Sequence, residues 1–128
     1  MTDMKKNVEK RKHHRFQVQE EAYAALYLYN GSFKKGQIQN ISKGGFAFRY
    51  IDNGEQAEGS YKVDIFASNN DFYLKNLPFK TISDVYIDFE NPFSTTTLWQ
   101  CGGQFGEITQ SQMFQLYYFI QDYTISEA

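Results

Sequence analysis

Short runs of alternating apolar and polar residues, broken every few positions by turn-forming clusters, run through most of the chain. That rhythm limits it to an antiparallel β fold. Ala22–Tyr29 reads as a strand that stops at Asn30-Gly31, a strong hairpin dipeptide. Gly36–Ile41 follows as a second strand and is broken by Ser42-Lys43-Gly44-Gly45. Phe46–Ile51 forms a third and ends at Asp52-Asn53-Gly54. Val63, Ile65 and Ala67 alternate with Lys62, Asp64 and Phe66, and Ser68-Asn69-Asn70-Asp71 turns the chain into Phe72–Leu74. Val85, Ile87 and Phe89 alternate with Tyr86 and Asp88 before Asn91-Pro92 closes that strand. Thr95–Phe105 makes a long last strand with Trp99, Cys101, Gly103 and Phe105 on one face.

The period then changes. Thr109-Gln110-Ser111-Gln112 fits a capping box, with Thr109 as N-cap and Gln112 three residues on. Met113, Leu116, Tyr117, Ile120 and Tyr123 follow at helical spacing, a stripe suited to one barrel mouth or to a partner. Six or seven short strands with one terminal helix imply an all-β closed barrel or sandwich. An aromatic content of 18%, with 12 Phe and 10 Tyr, agrees with strands over helices. At 128 residues, without an internal repeat or linker, the chain has room for one domain.

Charge is unevenly placed. Residues 1–15 hold six basic side chains against Asp3 and Glu9, a balance of +4, so residues 16–128 carry −6 of the net −2. A flexible basic arm over residues 1–16 on an acidic body, residues 17–128, points to an anionic partner met by the arm. The acidic body weighs against a nucleic-acid polymer. No stretch approaches the about 18 apolar residues of a membrane span, and the N-terminus has no apolar h-region. One cysteine, Cys101, forms no internal disulfide, and the expected compartment is the cytoplasm.

Two motifs carry chemistry. Arg11-Lys12-His13-His14-Arg15 is an R-x-x-x-R and holds two of the three arginines in the chain. Asn40-Ile41-Ser42-Lys43-Gly44-Gly45 is an N-x-S-x-x-G at the end of the second strand. Guanidiniums stack on purine faces and fork onto phosphates or the Hoogsteen edge of guanine. Asn40 offers an amide to a base edge, Ser42 a hydroxyl to a phosphate, and Gly45 a position where the backbone can come close.

In this order, the two motifs resemble the signature of the PilZ domain family, R-x-x-x-R followed by [D/N]-x-S-x-x-G. The resemblance extends to Gly36–Phe46 as the strand-turn-strand and to Cys101–Ile108 as the final strand and exit into a helix. It implies a six- to seven-stranded antiparallel PilZ-type β-barrel with a C-terminal α-helix, and binding of the bacterial second messenger cyclic di-GMP. Carried over by position, Arg11 and Arg15 would clamp guanines and phosphates. Asn40 and Ser42 would meet a guanine edge and a phosphate, and Gly45 would shape the turn. Asn40 stands where many members carry Asp, which removes one charge-assisted contact. The arm would be mobile alone and order over the ligand.

The resemblance implies a receptor that relays its state to an unidentified protein partner, as monomer or homodimer. The alternative is a protein-interaction adaptor independent of cyclic di-GMP; the intact motifs favour the receptor. The His13-His14 pair lacks companions at ligand spacing, so no metal is expected. No nucleophile motif and no general base outside the arm point to an enzyme or a resident cofactor. Asp84, Asp88 and Glu90 read as a solvated strand face. Tyr27, Tyr29, Tyr86 and Tyr118 read as barrel core in preference to a stacking platform for RNA.

Overall fold

The computed structural model describes residues 14–19, 21–52, 59–68, 72–87 and 97–127. Eight strands and one helix occupy them: β1 (Phe16–Val18), β2 (Ala22–Leu28), β3 (Phe33–Ile41), β4 (Gly45–Asp52), β5 (Ser60–Ala67), β6 (Tyr73–Ile87), β7 (Thr97–Phe105), α1 (Gln110–Tyr123) and β8 (Thr124–Glu127). Every strand pairing is antiparallel. Because β2 pairs with both β3 and β5, the order β2-β5-β6-β7-β4-β3 closes into a six-stranded barrel. Beyond β3, β1 and then β8 extend the sheet outside the ring.

Local chemistry explains the corners. At Asn30-Gly31, Gly31 takes φ 90°, a left-handed conformation that glycine adopts without strain. The Asn30 side chain accepts the Ser32 amide at 2.9 Å, so the turn satisfies its own backbone. Inside the ring, Leu26, Ile38, Phe48, Val63, Ile65, Leu77 and Cys101 are wholly shielded from solvent. Each such aliphatic side chain contributes about 1.5–3 kcal/mol by leaving water. Helix α1 joins the barrel core by burying Leu116 and Phe119, with Tyr123 stacked on Phe119 and Phe72 tilted against it. Its capping box forms as the sequence predicts: Gln112 N–H donates to the Thr109 hydroxyl at 3.0 Å, and Thr109 N–H donates to the Gln112 side chain at 2.9 Å.

Several expectations are corrected. Tyr73 and Leu74 of the expected Phe72–Leu74 strand and Val85–Ile87 belong to one fifteen-residue strand, β6, which continues through Pro78, with Phe72 just before it. A bulge between Thr81 and Ser83 shifts its register, and the alternation downstream inverts. Val85 is therefore exposed, and Asp84 is half-buried and accepts the Tyr50 hydroxyl at 2.7 and 2.8 Å instead of facing solvent. Asp88, Phe89 and Glu90 lie outside the described residues. The buried stripe of α1 runs through Phe119, while Met113 and Tyr117 stay exposed. Tyr29, Tyr86 and Tyr118 are surface residues and not core. Strand β8, absent from the sequence reading, begins directly after the helix at Thr124.

Candidate functional site

Cβ positions along a strand alternate between faces, so β4 sends Phe46, Phe48 and Tyr50 inward and Gly45, Ala47 and Arg49 outward. Opposite them on β7 stand Gln104, Gly102 and Gln100, in the register Gly45↔Gln104, Ala47↔Gly102 and Arg49↔Gln100. In the first two of these rungs Gly45, Ala47 and Gly102 carry little or no side chain. They floor an outer cleft of about 670 Å³, within the range of small-molecule sites. Arg15, Asn40, Ser42, Gly44, Ser83, Gln100 and Gln104 supply its polar lining.

Four of the five residues singled out in the sequence meet at this cleft: Arg15, Asn40, Ser42 and Gly45. Arg11 lies outside the described residues. Arg15 is exposed and stands one position before β1, whose register, Phe16↔Ile41 and Gln17↔Asn40, carries it alongside the end of β3. Asn40 is held between two strands, opposite Gln17 on β1 and Ala47 on β4. A bulge between Ile38 and Asn40 adjusts its position.

Ser42 is buried and its hydroxyl is engaged inside the turn. It donates to the Gly45 carbonyl at 3.3 Å and accepts the amides of Gly44 at 3.1 Å and Gly45 at 3.2 Å. A hydroxyl has one proton and two lone pairs, so these three bonds use its capacity. The serine holds the loop in shape. Gly45 serves by close approach: a Cβ there would sit 2.0 Å from the Gly103 carbonyl oxygen. Gly103 in turn leaves no room against Lys80 O at 2.3 Å, so β4, β7 and β6 pack backbone against backbone under the cleft.

Residues outside the two motifs complete the site. Lys43 at the turn lies with Nζ 4.6 Å above the Tyr117 ring, which ties the turn to α1. Arg49 Nε donates to Gln100 Oε1 at 3.0 Å. Gln100, Gln104 and Ser83 carry no motif signal; for Gln100 and Gln104 the one available sign is their alternation along β7, and Ser83, on β6, has none. Cys101 sits inside the barrel, where burial pushes its thiol up to about 12. Among the described residues, no group of three or more His, Cys, Asp or Glu gathers as a metal site. No helix among them is long and apolar enough to cross a membrane.

No protein-family profile matches the sequence, and no curated protein matches it as a relative. Solved structures do match in shape. The PilZ domain of Escherichia coli YcgR with c-di-GMP superposes with a TM-score of 0.67 at 14% identity, over 90% of this chain and 92% of that one. MrkH, described as a c-di-GMP-dependent transcription regulatory factor, gives a TM-score of 0.67 at 16% identity, over 90% of this chain. The K. pneumonia MrkH–c-di-GMP complex gives 0.65 at 14% identity. The chain spans about half the length of MrkH, 51% and 52% in these two structures. The barrel with its C-terminal helix is therefore the PilZ-domain fold.

Proposed function

We propose that this chain is a PilZ-domain receptor for cyclic di-GMP, and that it acts by binding and not by catalysis. The observation that carries the reading is the meeting of Arg15, Asn40 and the Ser42–Gly45 turn at one open cleft, on a fold whose solved examples include c-di-GMP complexes. A cyclic dinucleotide presents two phosphates, flat purine faces and guanine edges rich in acceptors. Arginine suits all three, because its planar fork pairs with acceptor pairs and stacks on rings. Asn40 offers both a donor and an acceptor to a base edge. The small residues Gly45, Ala47 and Gly102 leave the floor between Asn40 and Gln100 open for a planar ligand.

Arg11 joins Arg15 in this reading, and the arm of residues 1–16, whose last residue Phe16 already pairs in β1, closes over the ligand upon the barrel of residues 17–128. The output passes to a protein partner in the bacterial cytoplasm. Helix α1, with Met113, Phe114 and Tyr118 exposed, is the surface this reading assigns to that partner.

Calorimetric titration with cyclic di-GMP tests the reading. Wild type should bind, and Arg15→Ala should lose most of the affinity. Absence of binding by wild type, or equal binding by both proteins, would overturn it, and absence by wild type would leave the ligand-independent adaptor.

A further inference from the structure

Arg49 is the third arginine of the chain, and it belongs to neither motif. It points outward from β4 on the face that floors the cleft, one rung beyond the Ala47–Gly102 pair. Two residues along an antiparallel strand advance about 7 Å. An arginine on that rung is long enough to reach back over the open floor. Its Nε–H is fixed on Gln100 Oε1 at 3.0 Å, and Gln100 itself lines the cleft. That bond sets the plane of the guanidinium while the terminal Nη groups stay free of it. A fork held this way loses little rotamer freedom when it engages an acceptor pair.

We propose that Arg49, held by Gln100, is a specificity-determining contact to the second nucleotide half of the ligand. This rests on the receptor reading above. A cyclic dinucleotide has two equivalent halves, each with a phosphate and a base. Arg15, beside Asn40 and the turn, lines one part of the cleft and Gln100 another, and Arg49 stands against Gln100 just outside that lining. Gly45, Ala47 and Gly102, between these two parts, leave the floor low enough for one ligand to lie across both. The first half meets Arg15 and Asn40; the second meets the Arg49 fork. Gln100 is a positioning residue that acts through Arg49.

Titrations of wild type, Arg49→Ala, Arg49→Lys, Gln100→Ala and the double variant with cyclic di-GMP, each checked by thermal unfolding, test this. Arg49 is exposed, so its variants should unfold at the wild-type temperature. Arg49→Ala should weaken binding by about tenfold or more. Arg49→Lys should recover only part of that, because an ammonium keeps the charge and loses the fork. Gln100→Ala should cost less than Arg49→Ala, and the double variant should cost no more than Arg49→Ala alone. Wild-type binding with undiminished binding by Arg49→Ala overturns this inference and leaves the receptor standing. Additive losses in the double variant overturn the positioning role of Gln100. A wild type that does not bind overturns the receptor reading, and this inference with it.

Discussion

Ser42 and Gly45 bond to each other at backbone and side chain alike. The Ser42 amide donates to the Gly45 carbonyl at 2.8 Å and its hydroxyl donates to the same oxygen at 3.3 Å. The Gly45 amide returns a bond to that hydroxyl at 3.2 Å. Ser42→Ala should therefore destabilise the protein by about 1–3 kcal/mol, because buried amides lose their acceptor. Any loss of cyclic di-GMP affinity should accompany that change. Urea unfolding alongside titration checks it: weakened binding at unchanged stability would show the hydroxyl acting on the ligand itself.

Tyr50 and Asp84 make a second expected sensitivity. The Tyr50 hydroxyl bonds both carboxylate oxygens of Asp84, and Lys34 Nζ lies 5.6 Å from the centre of the Tyr50 ring. Tyr50→Phe keeps the ring packed on Phe48 and removes only the hydroxyl. Hydrogen bonds to charged groups contribute about 1.5–3 kcal/mol, and that loss should appear in the urea midpoint with an unchanged slope.

Cys101 predicts alkaline behaviour. Burial raises its thiol from 9.0 to about 12, and Tyr27 and Tyr73 are raised as well, by burial and then by Asp64. Groups that stay protonated longer in the folded state favour folding fully below their unfolded values. That contribution is lost as pH climbs from about 9 toward 12. The melting temperature should fall across that window, and Cys101→Ala should flatten the early part of the fall. At pH 8 the native thiol should resist alkylation and react only once the protein is unfolded.

Strand β8 should matter to binding although it lies outside the cleft. Phe16 pairs with Ile41 on one side and Glu127 on the other, so β8 fixes the strand that carries Arg15. Gln19 N–H also donates to the Tyr123 carbonyl at 2.8 Å. Removing residues 124–128 should weaken cyclic di-GMP binding by about fivefold or more, since β1 must then be ordered at ligand cost. The barrel should still melt cooperatively in a thermal scan. Unchanged affinity would show that β3 alone holds β1.

The sequence made the barrel legible where local chemistry agreed with the final contacts. Asn30-Gly31, the Thr109–Gln112 box and the alternation in β2 to β5 each act within a few residues. The motif residues were legible for the same reason, since Asn40, Ser42 and Gly45 lie in one turn. What escaped depended on distant partners. The β6 bulge is defined by its pairing with β7, so the inward turn of Asp84 toward Tyr50 had no local sign. Strand β8 follows the helix without Gly or Pro between them and exists by pairing with β1. Arg49 and Gln100 are 51 residues apart and meet only through strand register.

The backbone contacts beneath the cleft bear on how genetics would read this protein. Gly45 and Gly103 have no space for even a methyl group, so changes at either codon should deplete the protein itself. In a screen for signal-blind cells they would score together with Arg15 changes. Measuring how much protein each allele leaves would separate an absent receptor from a deaf one.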